Sequence, residues 1–130
     1  RRFAAIGAFS GAVGIARSAP ANPANAEAEK RTRNLQALFG PPGSPERAAR
    51  DPFALLEKVP PAEMPMLYIA CGGQDFLLAQ NRDFVELLAR NKIPYEYREY
   101  SPRAHTWDFW DDHARVFLSL ISRLPGFQRP

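Results

Sequence analysis

The sequence contains very little cysteine and no long hydrophobic run. Its single cysteine, Cys71, excludes an intrachain disulfide framework and a zinc site built from cysteines. No apolar stretch approaches the roughly 18 residues that a membrane-spanning helix needs. Basic residues number 17 against 14 acidic ones and are scattered, so nucleic acid is not expected as a partner. No nucleotide, flavin or haem motif occurs, and no cofactor is therefore expected.

What is present fits one small domain with a proline-rich segment. The 130 residues allow one domain at most. Residues 19–50 are rich in proline, asparagine and alanine, which predicts a connecting segment with one short helix around residues 34–39. Asp51 and Pro52 then resemble an N-cap and the first residue of a helix that runs through Lys58.

The first 26 residues fit two different structures. Two arginines, an apolar stretch and a run of small residues at 19–26 imitate a secretory signal. The apolar residues 3–9 also fit a strand that is buried on both faces of a parallel sheet. Periodicity alone leaves both interpretations open.

The remainder of the chain alternates strands and helices. Residues 66–71 form a continuous apolar run before Gly72-Gly73, which is typical of a central parallel strand, and residues 93–100 predict a second strand. Helices are predicted over 81–91 and 107–123. This order indicates an α/β fold. The last helix should press an apolar stripe against the core, and its members are Trp107, Trp110, Ala114, Phe117, Leu118 and Ile121.

Two polar residues follow the predicted strands at the place where functional groups usually lie. Asp75 comes after the first of these strands and His105 after the second. Because neighbouring strand ends are about 5 Å apart, the two side chains could meet as the acid and base of a nucleophile triad. Each residue also has an ordinary interpretation. Asp75 could cap a turn or helix, and His105 could be a packed, hydrogen-bonded side chain.

These residues lie in segments that resemble the esterase family of α/β-hydrolases. Residues 67–78 with 81–84 resemble the segment around the acid of that family, and 93–100 resemble its last strand. Residues 104–111 resemble its His-x-Trp-x-x-Trp segment. Two further segments match upstream. Phe39-Gly40 together with residues 51–56 is similar to the short-chain esterase and acetyl-xylan esterase branch of the family. Residues 2–6 and 9–12 are similar to the strand that follows the nucleophile helix.

The resemblance implies both a fold and an activity. The fold would be the C-terminal part of an α/β-hydrolase three-layer sandwich, a parallel sheet flanked by helices. Asp75 would be the catalytic acid and His105 the catalytic base, acting on a small-molecule ester. S-formylglutathione hydrolases tend to have His-Ser-Tyr where this chain has His105-Thr106-Trp107, which favours a carboxylesterase for short acyl groups. Arg103 departs from the glycine common there, so the loop before His105 could differ.

The nucleophile of that family has no counterpart in the sequence. No Gly-x-Ser-x-Gly elbow is present, and Ser10 lacks glycine at both flanking elbow positions. We therefore expect a C-terminal fragment of a longer serine esterase, inactive alone. The alternative is a half-length, non-catalytic interaction module.

Other candidate sites are weaker. A metal site is suggested by His105, Asp108, Asp111, Asp112 and His113, but the acids are better explained as a solvated helix face and as first-turn acids that match the helix dipole. His113 is predicted at the surface, and Cys71 as a small packed residue. The tryptophans beside His105 could line an acyl pocket, although core packing is the preferred interpretation.

Overall fold

The structure is a computed structural model that describes residues 3–18, 25–125 and 127. Both arginines of the signal-like start and residues 19–24 of the predicted connecting segment lie outside the described residues. The chain divides into two compact units, which are described in turn. The larger unit consists of residues 1–12 and 60–130, and the smaller unit is Val13–Val59.

The larger unit is built on a parallel sheet, as the sequence predicted. Its elements are β1 (Ala5–Phe9), β2 (Met66–Gly72), α4 (Leu78–Arg90), β3 (Tyr95–Tyr100) and α5 (Trp107–Ile121). Within the described residues the sheet has three strands in the order β1-β2-β3, and both strand pairs are parallel. Two helices pack against these strands, α4 mainly on β2 and β3 and α5 mainly on β1 and β2.

Strand β2 is the centre of the core. Tyr68 and Ala70 are fully buried with Phe109 of α5. The alternate side chains of the strand point to the opposite face of the sheet and are also buried. Burial raises the pKa of the Cys71 thiol to about 11, which keeps it protonated at neutral pH. The prediction that Cys71 is a packed residue is confirmed.

Strand β1 is present, so the strand interpretation of residues 3–9 is the one that the structure shows. It is two residues shorter than predicted, and it is not buried on both faces. Ile6 retains 44% of its exposed area because β1 pairs with β2 on one side and is an edge of the described sheet. An apolar edge strand is a site where another strand can pair.

The buried face of α5 differs from the predicted stripe. Trp107 is 82% exposed and Leu118 is 59% exposed, so neither packs in the core. The residue that anchors the helix is Phe109, and Phe117 packs with it on the same cluster. Trp110 and Phe117 of the predicted stripe do pack on this cluster, so the prediction is confirmed in part, and its error is limited to the exposed Trp107 and Leu118.

The prediction that His113 lies at the surface is wrong. Its acidic neighbours in the sequence suggested exposure, yet it follows Phe109 by four residues and shares the buried face of α5. Its Nδ1 lies 2.6 Å from the hydroxyl oxygen of Tyr68. Burial lowers the pKa of His113 and therefore favours the neutral ring, which shares a hydrogen bond with the Tyr68 hydroxyl.

This buried histidine should make the fold sensitive to acid. As the pH falls below about 6.5, His113 binds a proton more readily in the unfolded chain than in the folded chain, so stability falls as the pH decreases. The double variant Tyr68→Phe with His113→Phe removes both partners of the hydrogen bond. We expect urea midpoints at pH 7 and pH 5 to differ less for this variant than for the parent. If the two midpoints differed equally in the variant and the parent, His113 would not be the source of the acid sensitivity. His105 is present in both proteins, so its titration does not affect the comparison.

The smaller unit contains helices where a connecting segment was predicted. Helix α1 spans Ala26–Phe39 and begins well before the predicted short helix, because the Asn25 side chain caps it at Ala28 N. Two short helices follow, α2 (Pro45–Ala48) and α3 (Pro52–Leu56). The predicted cap is confirmed, since Asp51 accepts a hydrogen bond from the amide of Phe53. No helix in the described part of the chain is long and apolar enough to span a bilayer.

Candidate active site

Asp75 lies in a tight turn between β2 and α4. Its side chain is fully buried, and its Oδ1 accepts a hydrogen bond of 2.8 Å from the amide of Leu77. This is the turn-capping role expected of a lone aspartate after Gly-Gly. The same carboxylate also faces His105, so the two interpretations of Asp75 are compatible.

His105 meets Asp75 as predicted. The Nδ1 atom lies 3.0 Å from Oδ2 and 3.2 Å from Oδ1 of the carboxylate. The two loops therefore bring together residues that are 30 positions apart in the sequence. The imidazole is 32% exposed while the carboxylate is enclosed. One end of the ring is thus held by the acid, and the ring itself remains partly accessible.

The charge of Asp75 determines the tautomer of His105. Burial acts to raise the pKa of Asp75, but the nearby Ser10 hydroxyl and the hydrogen bonds from Leu77 and His105 outweigh it, and the pKa lies below its ordinary value. An ionised carboxylate can only accept hydrogen bonds, so Nδ1 of His105 must carry the proton. The Nε2 atom of the neutral ring is then unprotonated and able to accept a proton.

Aromatic rings hold the imidazole from its sides. The ring centroid of Phe76 lies 4.7 Å from that of His105, and Trp110 stands edge-on at 4.8 Å. Trp107 packs on Trp110 at 4.7 Å and is otherwise exposed. The preferred interpretation of both tryptophans as core residues therefore fails for Trp107, which belongs to the surface beside His105.

Backbone hydrogen bonds join the loop of the acid to the loop of the base. The amide of Gly73 donates to Tyr100 O at 2.7 Å, and the amide of Gln74 donates to Arg103 O at 2.9 Å. This close approach requires glycine at position 72, since a Cβ atom there would lie 2.5 Å from Arg103 O. The distance between Asp75 and His105 thus depends on main-chain contacts of the two loops.

Arg103 has a role that the sequence did not reveal. Its guanidinium binds the carboxylates of Asp108 and Asp112 on α5. These acids are exposed, as predicted, and their partner is an arginine of the same loop. In the part of the chain that the structure describes, no cluster of three or more His, Cys, Asp or Glu side chains could hold a metal ion.

Ser10 is a buried residue near the Asp75 carboxylate. It ends β1 with a positive φ of 50° and is buried, and its amide donates to Ala70 O at 2.7 Å. The hydroxyl oxygen makes no hydrogen bond of regular geometry within the described residues. It nevertheless lies close enough to Asp75 to lower the pKa of that carboxyl. The next helical element in the described residues is a single 3-10 turn at Ile15–Arg17, which does not follow Ser10 directly.

Asn81 is a buried residue of this region that sequence reasoning did not single out. Its side chain is on the apolar face of α4, and its Nδ2 donates to Gly11 O and Leu77 O, at 2.9 Å each. The spacing in the sequence could have indicated its burial. Asn81 precedes Phe84 by three residues and Leu88 by seven, so it shares their face of the helix.

Among curated proteins, the chain is similar to an acetyl esterase from Caldicellulosiruptor saccharolyticus. The two are 32% identical over 89 residues, which cover 67% of this chain and 33% of the esterase. No sequence profile of an established protein family matches the chain.

Solved structures of hydrolases have the same fold. The fluorophosphonate-binding serine hydrolase F of Staphylococcus aureus matches with a TM-score of 0.71 and 29% identity, over 95% of this chain and 46% of that one. The S-formylglutathione hydrolase of the same species matches with a TM-score of 0.66 and 29% identity, over 92% and 45%. A ferulic acid esterase, 22% identical with a TM-score of 0.57 over 93% and 42%, is similar in fold alone.

The chain thus has the α/β-hydrolase fold and is related to the esterase family of that fold, which confirms the resemblance predicted from the sequence. It spans a third of the length of the acetyl esterase and less than half of the structural neighbours.

Proposed function

We propose that this chain is the C-terminal part of a serine carboxylesterase domain that hydrolyses short-chain acyl esters, with Asp75 as its acid and His105 as its base. The observation that carries the proposal is the contact of 3.0 Å between Asp75 Oδ2 and His105 Nδ1 at the carboxyl edge of a parallel sheet. No Gly-x-Ser-x-Gly elbow occurs among the 130 residues, so the proposal requires a nucleophilic serine from a segment upstream of Arg1.

The proposed mechanism assigns each proton to a named atom. His105 Nε2 accepts the proton of the serine hydroxyl as that oxygen attacks the ester carbonyl, and it then donates this proton to the alcohol that leaves. In the second half-reaction, Nε2 accepts a proton from water, whose oxygen attacks the acyl-enzyme, and returns it to the serine. Asp75 stays ionised throughout; it orients the ring and stabilises the imidazolium through Nδ1.

A small acyl group is the proposed substrate feature. The relative that is 32% identical is an acetyl esterase, and the His105-Thr106-Trp107 segment departs from the His-Ser-Tyr pattern of S-formylglutathione hydrolases. Trp107 is proposed to border the substrate, because it is exposed and belongs to the aromatic group around His105.

Expression of the full reading frame that contains this chain tests the proposal. We expect the upstream sequence to encode a Gly-x-Ser-x-Gly elbow and the purified protein to hydrolyse p-nitrophenyl acetate faster than the octanoate. A full reading frame without such a serine, or a protein without esterase activity, would favour the non-catalytic module.

A further inference from the structure

A fully buried asparagine, Asn81, is connected to the acid by two successive hydrogen bonds through Leu77 and has no part in the mechanism above. It lies in the first turn of α4 and has an exposed fraction of 0%. Its Nδ2 lies 2.9 Å from Gly11 O and 2.9 Å from Leu77 O. Since both neighbours are carbonyl oxygens, only the amino end of the carboxamide can face them, and the orientation of the side chain is fixed.

These two hydrogen bonds connect the end of β1 to the loop of the acid. Gly11 directly follows Ser10, whose amide continues the pairing of β1 with β2. Leu77 donates its own amide to Asp75 Oδ1 at 2.8 Å. Asn81 therefore binds both the residue after Ser10 and the residue that holds Asp75.

We propose that Asn81 is a positioning residue that fixes the Asp75 carboxylate against the carboxyl end of β1 by binding Gly11 and Leu77 together. The inference rests on the proposed role of Asp75 as the acid of the triad. In this role, Asn81 keeps the Asp75 carboxylate at a fixed position relative to β1, which is the strand at the edge of the described sheet.

The effect on Asp75 follows from the groups that Asn81 holds in place. The Leu77 amide and the Ser10 hydroxyl both stabilise the ionised carboxylate and lower the pKa of Asp75. Without the bond to Gly11, the turn after Ser10 can move away from Asp75. Loss of either group disfavours the ionised form, so the pKa of Asp75 should rise.

The same helix provides a matched control. Asn91 also donates its Nδ2 to the carbonyl four residues earlier, Leu87 O, at 2.8 Å. Asn91 is exposed, and no long-range bond accompanies its local one among the described residues. A general effect of removing an asparagine amide from α4 or from its C-cap, Asn91, would appear at both positions, whereas a positioning effect should appear only at Asn81.

The test is a titration of the Asp75 carboxyl group by carbon-13 NMR in the full-length protein. Asn81→Leu removes both hydrogen bonds and approximately keeps the volume. Asn81→Ser keeps a hydroxyl able to bind Leu77 O but too short to reach Gly11. We expect an upward shift of the pKa of Asp75 in both variants and no shift in Asn91→Leu, with circular dichroism confirming that each chain is folded.

An unchanged pKa of Asp75 in folded Asn81→Leu and Asn81→Ser would overturn the proposal, as would an equal shift in Asn91→Leu. If both Asn81 variants failed to fold while Asn91→Leu folded, Asn81 would be a residue of the fold alone, which also overturns it. The titration does not depend on turnover. Absence of esterase activity in the full-length protein would therefore refute the proposed function separately from this result.

Discussion

If the proposed function holds, replacing His105 with alanine in the full-length protein should lower kcat by about 10⁶-fold, whereas Asp75→Asn should lower it by about 10⁴-fold, the sizes known for serine-protease triads. His105 Nε2 moves the proton in both half-reactions, so its loss removes the base. Asp75 contacts only Nδ1, at 3.0 Å, where it orients the ring and stabilises its charge. Turnover of p-nitrophenyl acetate at neutral pH measures both effects.

The order of the two losses of kcat, with His105→Ala larger than Asp75→Asn, is more informative than their absolute sizes. His113→Phe is a control, because His113 lies in the core bound to Tyr68 and should leave kcat within a few-fold of the parent. If Asp75→Asn retained full activity, the role of Asp75 would be limited to accepting the hydrogen bond from the Leu77 amide. Asp108 would then be the next candidate for the acid. Full activity of His105→Ala would refute the proposed mechanism.

Replacing Gly72 with alanine should destabilise the fold by about 1–3 kcal/mol and separate the acid from the base. The added Cβ would lie 2.5 Å from Arg103 O and 2.9 Å from Ala104 N, which are main-chain atoms of the loop before His105. That loop must move, and a displacement of about 1 Å at a catalytic group can reduce the rate about 10²-fold. Urea denaturation and the kcat of the full-length enzyme measure the two effects.

Gly7→Ala provides a matched comparison in a neighbouring strand. A Cβ atom at Gly7 would meet the side-chain rings of Phe9 and Phe117 at 3.0 and 3.1 Å, and side chains can move more easily than a loop backbone. We expect a smaller loss of stability there and little loss of kcat. If Gly72→Ala retained the stability and activity of the parent, the tight contact between the two loops would not control the site.

The contact between Asp75 and His105 could be predicted from the sequence because parallel strands bring their carboxyl ends to one edge. Strand β2 is continuously apolar and ends in Gly72-Gly73, and β3 follows after one helix. Once both strands were recognised, the loops had to meet. The ordinary role of Asp75 was predictable from the same turn, and the structure shows that one carboxylate fills both roles.

The buried polar residues could not be predicted in the same way. His113 has acidic neighbours in the sequence, and its burial depends on the hydroxyl of Tyr68, which comes from a strand 45 positions away. Asn81 similarly depends on Gly11, 70 positions away. A polar side chain is stable in a core only when another group forms a hydrogen bond with it. A single sequence does not reveal which distant residue provides that group.

The exposure of Trp107 has a related cause. Periodicity placed it on the stripe of α5 with Trp110, but a helical pattern fixes only relative positions on the helix. The absolute phase depends on what the helix covers, and here the face of β2 with Tyr68 and Ala70 receives Phe109. Trp107 is consequently left beside His105, where it contacts Trp110.

Labelling of the full-length protein with a fluorophosphonate tests the central claim most directly, because the probe forms a covalent bond with a serine that a neighbouring base activates. We predict a single labelled serine located upstream of Arg1, and loss of labelling in His105→Ala but not in His113→Phe. Peptide mapping of the adduct identifies the residue. Labelling of Ser10, or labelling that is unaffected by His105→Ala, would contradict the assignment of Asp75 and His105 as the acid and base of a serine esterase.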